Sequence, residues 1–327
     1  MKSFTTILFL LFANLGLLAQ TPYAAAAGEA GSDAIHKDSS LIKGWATSCK
    51  LKRGYLNIAD PAAGFTSVGD STSALGEALS NGVLSLGDSG YATLRFDASL
   101  FDGPGPDFAI FENGFKAQTG GYYLELAFVE VSSDGQNFFR FPAHSLTDTS
   151  SGLNSFGTLQ PRQLNNLAGK YRSGYGTPFD LAELAGINGL DIQAISHLRI
   201  VDVVGAHSGP HASRDTAGRA VVDPYPTAFP GGGFDLDAVA AIHLNPVGLD
   251  ENSLTNVRLY PNPVRDLLYL NGVDQNADYE LVDLNGRLVG EGQIEAAQID
   301  LSSLKSGVYF IVLRKAAAAK TLKLIKQ

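Results

Sequence analysis

Residues 128–141 read FVEVSSDGQNFFRF, an alternating apolar run, a polar Ser-Ser-Asp-Gly break and a second run rich in aromatics. A side-chain period of two puts Phe128, Glu130 and Ser132 on one face and Val129 and Val131 on the other, which is the signature of a half-buried strand. Asp134-Gly135 supplies the chemistry of a hairpin turn, since Gly accepts positive φ at no steric cost. The same grammar recurs on both sides: short apolar or alternating runs at 83–86, 91–96, 108–111, 124–131, 138–141, 197–203 and 237–244 stand between Gly, Pro, Asp and Asn clusters. Only 73–79 and 178–185 carry a helical pattern, and both are short. Many strands with scarcely a helix predict an all-β sandwich over residues 41–245.

Outside that region the composition changes. Residues 1–20 hold one Lys, an apolar stretch over 7–18 and Ala19, the pattern of a secretory signal peptide. The stretch is shorter than the roughly 18–20 residues of a membrane span, so the chain is not expected to be an integral membrane protein. Cleavage is expected after Ala19 or within 24–27, and 21–40 reads as a flexible lead-in of Ala, Gly, Ser and charge. Residues 246–256, PVGLDENSLTN, form a polar linker to a second β-region at 257–327, with strands expected at 267–270, 279–283 and 308–313. There Asn285-Gly286 predicts a type I′ turn, and Pro261-Asn262-Pro263 cannot lie mid-sheet.

Charge and cysteine content narrow the function classes. The chain has 24 Lys/Arg against 33 Asp/Glu, a net charge of −9. Residues 257–327 carry nine bases against eight acids, whereas the region between leader and tail carries 14 against 25, which excludes nucleic acid as a partner on charge grounds. Cys49 is the sole cysteine, so no intrachain disulfide exists, no acceptor for an N-terminal lipid lies near the cleavage points, and a small buried side chain is expected there.

Three resemblances sharpen this reading. The V-S-x-D-G-x-x-F hairpin at 131–138, followed downstream by HLRIVDVVG (197–205), resembles the galactose-binding-like jelly roll. The stretches VLSLGDSGYATLRF (83–96), DGPGPDFAIFENGF (102–115), ELAFVEVSSDGQNF (125–138), LAGKYRSGYGTPFDLAEL (167–184) and DPYPTAFPGGGFDLDAVAAI (223–242) together resemble bacterial "cell surface proteins" over about 75–244. That resemblance implies an exported β-sandwich and no particular reaction. In the tail, Tyr260-Pro261-Asn262-Pro263, the Asp283–Arg287 turn with Asn285 and Gly286, Gly307-Val308-Tyr309-Phe310 and the closing KTLKLIKQ resemble the type IX secretion C-terminal sorting domain of Bacteroidota. The resemblance implies export to the periplasm, recognition by the type IX translocon and its sortase, and release or attachment of the remainder at the outer-membrane surface.

Chemistry concentrates in two acidic stretches. Asp102 and Asp107 sit in a Gly-Pro loop, and Glu112 and Asn113 follow a short apolar run. Far downstream GGGFDLDAV places Asp235 and Asp237 on one face of a strand. In a jelly roll the first and last strands are often neighbours, so these six residues are expected to converge on Ca²⁺, an ion that takes six to eight hard oxygens. Caps on turns and a catalytic carboxylate pair are the other readings of the same acids. His207 and His211 are separated by Ser-Gly-Pro, which denies them the helical alignment of an H-x-x-x-H metal site. The loop 205–233 is long enough to be a binding loop. Tyr122, Tyr171, Tyr175 and Tyr225, all near Gly or Pro, are the candidate platform for a sugar ring or flat ligand. The function expected is a non-enzymatic, calcium-stabilised binding or adhesion protein for a glycan, with a glycan hydrolase using Asp/Glu, or capture of a small nutrient such as a corrinoid, as alternatives.

Overall fold

The computed structural model describes residues 23–118, 120–245, 257–273, 277–294, 296–315 and 318–327. The expected leader and the linker 246–256 lie outside the described residues. The chain divides into two compact units after Asn245.

Unit one is an all-β sandwich, as its sequence grammar requires. One sheet runs in the order Ile35–His36, Tyr175–Phe179, Phe108–Glu112, Asp235–Ala241, Gly44–Trp45, with Leu84–Ser85 joining the start of Asp235–Ala241. Its two central strands are buried along their whole length, so the apolar runs 108–111 and 238–241 pack on both faces, and Glu112, Asp235 and Asp237 at one end are buried acids. The other sheet runs Phe139–Arg140, Ala127–Ser132, His197–Asp202, Tyr91–Arg95, Ser48–Lys52, antiparallel throughout. Burial alternates along Tyr91–Arg95 and His197–Asp202, whose outer face largely meets water, whereas Ala127–Ser132 is buried except at Glu130, because Phe128 on its outer side packs with Tyr122, Leu124 and Val203.

Phe108, Ile110 and Val239 from the first sheet pack against Leu94, Val129, Val131, Leu198 and Ile200 from the second in one core. The opposite face of the first sheet is covered by a smaller cluster in which Ala109, Phe111, Ala238 and Ala240 meet Ile35, Ala78, Ile42 and Trp45. The expected lead-in therefore belongs to the fold from residue 23 onward. Ala25, Ala26 and Ala27 are buried, and Ile35 pairs with Gly176. Cys49 is half-buried beside the core, and burial pushes its thiol up to about 11, in keeping with an inert side chain.

Neither expected helix forms. Gly76 (φ 78°) and Leu79 (φ 67°) break the 73–79 stretch into turns, and the Leu79 amide donates to both oxygens of Asp237 at 3.0 and 3.1 Å. Residues 178–185 split into the end of strand Tyr175–Phe179 and a single 3₁₀ turn, Leu181–Leu184, capped by the Asp180 side chain. The 128–141 hairpin forms with Val131 opposite Phe139, through a loop wider than a two-residue turn. Asp134 Oδ1 accepts from the Gln136 and Asn137 amides at 2.8 Å each while Gly135 sits at φ 73°.

Unit two contains a three-stranded sheet, Arg258–Tyr260, Leu267–Asn271, Gln298–Asp300, and a four-stranded one, Leu288–Gln293, Asp278–Asp283, Gly307–Lys315, Ala318–Lys326. They share a core centred on Val264, Leu268, Ile311, Leu313 and Leu324. The 285–286 turn differs from the expected type I′: only Gly286 has positive φ, and a register shift at Leu281/Val282 absorbs the extra residue. Asp283 Oδ1 organises it by accepting from the Asn285 and Arg287 amides. Within the Pro-Asn-Pro lead-in, Asn262 donates to the Lys323 carbonyl and accepts from the Ile325 amide, both at 2.9 Å, so a side chain takes the place of a strand partner. Tyr309 closes the 305–309 turn by donating to the Lys305 carbonyl at 2.9 Å.

Candidate functional site

The six expected metal ligands fall into two groups. Asp107 precedes strand Phe108–Glu112 and Glu112 ends it, so they stand on the order of 16 Å apart along a pleated chain. The single convergence of all six that the sequence analysis expects is thus absent.

At the Asp107 end, a third acid that sequence reading missed completes the group. Ligand oxygens of Asp102, Asp107 and Asp180 lie within 4.8 Å of one another. That is the span of two oxygens bound to one ion at about 2.3–2.6 Å each. Asp107 is fully buried and held on both oxygens: Oδ1 accepts from the Gly103 amide (2.8 Å) and faces His243 Nδ1 (2.7 Å), and Oδ2 accepts from the Leu181 amide (2.6 Å), which leaves it one further acceptor site. Burial raises its pKa, against which those hydrogen bonds and the imidazole act. Asp102 Oδ1, in contrast, is buried with no partner in the structure. Asp180 was hidden because its sequence neighbourhood reads as a helix start, and it does cap that turn by accepting from the Ala182 amide at 2.9 Å.

At the far end, Glu112, Asn113, Asp235 and Asp237 gather where strands 108–112 and 235–241 pair. Asn113 Nδ2 donates to Asp235 Oδ2 at 2.9 Å, and Ser85 donates to its other oxygen. Glu112 Oε2 accepts from the Gly114 amide at 2.8 Å, while Oε1 is buried without a partner. Burial, then the nearby Asp235 and Asp237 charges, lift Glu112 well above the usual carboxylate range.

This end opens a line of buried acids. Glu125, Asp202, Asp223 and Asp88 follow, each raised chiefly by burial, and their charges act on one another. Asp88 is pushed up to about 6. Among the described residues no Lys or Arg ion pair reaches any of them; most instead accept from loop amides. Asp223 takes the Leu126 amide at 2.9 Å, Asp202 those of Phe234 (2.8 Å) and Ser89 (3.1 Å), and Asp88 that of Ile58 (2.8 Å). The acids thus take up donors that the loops leave unpaired, since a buried backbone N–H without a ladder partner must be satisfied by a side chain or water. Gly205 permits this, because a Cβ there would sit 2.1 Å from Asp223 Oδ1.

The tyrosines do not share a rim. Tyr122 and Tyr171 are 6% and 1% exposed, leaving no ring face for stacking, and the Tyr171 hydroxyl donates to Asp33. Tyr175 lies edge-on to His36 beneath the Arg172 guanidinium. Tyr225 alone lines an open cavity of about 490 Å³, formed with Leu153, Asn154, His207, Ser208 and His211. Parts of the 205–233 loop are therefore cavity wall, and parts, Val221 and Val222 among them, are core.

Residues 258–327 match the family of secretion system C-terminal sorting domains. By that tail the chain is exported through type IX secretion to the cell surface or extracellular space. A comparison with curated proteins returns no match. Among solved structures, PorZ, a surface component of the type IX secretion system of Porphyromonas gingivalis, is similar over 28% of this chain and 14% of its own, at 18% identity and a TM-score of 0.22. β-Glucuronidases from Faecalibacterium prausnitzii (14% identity, TM-score 0.19) and Ruminococcus gnavus (11%, 0.22) align with 88% and 87% of this chain. The chain spans less than half the length of these three proteins, 14%, 46% and 45% respectively. No helix among the described residues is long and apolar enough to cross a membrane.

Proposed function

We propose that residues 23–245 are a non-enzymatic binding module of the cell surface, stabilised by Ca²⁺ and taking a glycan in the loop cavity at Tyr225. The observation that carries the reading is the Asp102–Asp107–Asp180 group, whose oxygens fit one ion and whose Asp102 Oδ1 has no other partner. Hard carboxylate oxygens without sulfur or imidazole-only geometry favour Ca²⁺ over a transition metal. The ion would tie the 102–107 loop to the 3₁₀ turn after strand Tyr175–Phe179, and so hold two sheet ends together. The cavity supports the ligand class: one aromatic face, an amide, a hydroxyl and two imidazoles suit a sugar's apolar face and its hydroxyls. A hydrolase would bring two carboxyls to the cleft, and the residues lining this cavity include none.

Thermal melting of the full chain in Ca²⁺ and in excess chelator tests the metal. Ca²⁺ is expected to raise Tm, and Asp180→Asn is expected to remove that response. An unchanged Tm in chelator, with no metal found by mass spectrometry, would sink the claim. For the ligand, a glycan array should yield hits that Tyr225→Ala weakens about tenfold or more, on the scale of one lost stacking contact. Turnover of an oligosaccharide that Glu112→Gln abolishes without loss of fold would favour the hydrolase instead.

A further inference from the structure

The outer face of the five-stranded sheet carries charge of the opposite sign to the rest of the chain. Strand register fixes which side chains share it. Arg140, Glu130, Arg199, Thr93 and Lys50 form one cross-strand row, and Phe128, Val201, Tyr91 and Lys52 form the next. Arg95, opposite Ser48, stands two residues along from Thr93 on the same face. Five Lys/Arg therefore face solvent around a single acid, on a chain whose net charge is −9. Glu130 is already engaged: Arg140 donates to its Oε1 from Nε (3.0 Å) and Nη2 (2.8 Å), and Arg199 reaches its Oε2 at 3.4 Å.

The remaining cations have no such partner. Among the described residues Lys50, Lys52 and Arg95 make no ion pair with any acid. Asp134, at the rim, spends its oxygens on its own turn through Gln136, Asn137 and Ser132. The positive field also registers on His197, whose pKa is lowered by burial and then by Arg95 and Lys50, with Asp134 opposing.

Between these charges runs a groove of about 360 Å³ walled by Tyr91, Phe138 and Arg199. Arg199 lies 3.4 Å over the Phe138 ring and 5.1 Å from that of Tyr91, and Lys52 lies 5.4 Å from Tyr91. The aromatic platform therefore holds the cations in place, which lowers the ordering cost when an anion arrives. Across the row Arg140, Arg199 and Lys50 stand two strands apart, about 9.6 Å from one to the next, while Lys50 and Lys52 stand about 6.8 Å apart along their strand. An extended chain bearing a negative group on successive units can meet several at once.

We infer that this face binds an anionic polysaccharide, one carrying sulfate or carboxylate groups. The site shares no residue with the loop cavity, so the two readings stand or fall separately. Each anion would accept from a Lys ammonium or Arg guanidinium, and the sugar plane would lie against the groove's aromatic edge.

Affinity electrophoresis of the full chain through gels cast with dextran sulfate, polygalacturonate or neutral dextran provides the test. Retardation is expected in a charged gel and not in the neutral one, with relief as salt shortens the Debye length. Retention by only one charged polymer supports the site and identifies its anion. Lys50→Ala/Lys52→Ala/Arg95→Ala should weaken retention about tenfold at unchanged Tm, from exposed ionic contacts of modest size. Lys50→Arg/Lys52→Arg should retain it, which guards against a folding artefact. Absence of retardation in both charged gels, or equal retardation of the triple Ala variant, overturns the proposal. So does stronger binding to a single-stranded oligonucleotide of matched charge, or loss of retention in Tyr225→Ala.

Discussion

Glu112 is buried with one oxygen held by the Gly114 amide and the other unpartnered, beside Asp235 and Asp237. Such a group prefers to be neutral, so folding raises its pKa. The unfolded side chain titrates near 4.3. The folded state therefore binds more protons above that value, and the stability it lends at low pH is lost as pH rises toward its raised folded pKa. Asp88 behaves alike over a narrower window, from about 4 unfolded to about 6 folded. Glu112→Gln removes one ionisation cost. Its Tm relative to the parent in chelator should rise between pH 5 and pH 8, by the equivalent of about 1 kcal/mol or more; a constant difference across that range would contradict the assignment. Gly205 makes an opposite case: Gly205→Ala would drive a methyl into Asp223, displacing the acceptor of the Leu126 amide. A loss of about 2–4 kcal/mol in denaturant unfolding is expected there.

At the scale of elements, strands were legible wherever one side of the sheet meets water. The alternation at 91–95 and 197–202 translates directly into the buried and less buried faces observed, whereas 127–132 alternates in sequence but is buried at every residue except Glu130, because Phe128 packs into a further apolar cluster with Tyr122 and Leu124. The helical reading of 73–79 failed because periodicity cannot register a Gly at positive φ or a distant carboxylate that captures a backbone amide. The candidate site was half legible for the same reason. Asp102 and Asp107 announce themselves in a Gly-Pro loop, but Asp180 joins them only through the pairing of strands 108–112 and 175–179, a contact without a local signal. Likewise Tyr122 and Tyr171 look like loop aromatics in sequence and are core residues in space. In the tail, the Pro-Asn-Pro motif carries its meaning in the middle residue. Asn262→Ala removes two hydrogen bonds to the closing strand, and a cost of about 1–3 kcal/mol to the tail is expected in differential scanning calorimetry of the full chain.

For the whole molecule, the tail decides destination and the sandwich decides what is displayed. Removing residues 257–327 should leave the protein in the periplasm, as fractionation and surface labelling would report; surface arrival without the tail would refute its role as address. The sandwich has its own order of assembly. Strand Asp235–Ala241 occupies the middle of the first sheet, between Phe108–Glu112 and Gly44–Trp45, yet it is the last strand of its unit in the chain. Its partners were all synthesised more than a hundred residues earlier. Loop closure over such separations precedes any reward from pairing, so this unit folds slowly and late. Until residue 241 is available for pairing, the first sheet has two halves and no centre, so the last strand in the chain acts as the keystone of its unit.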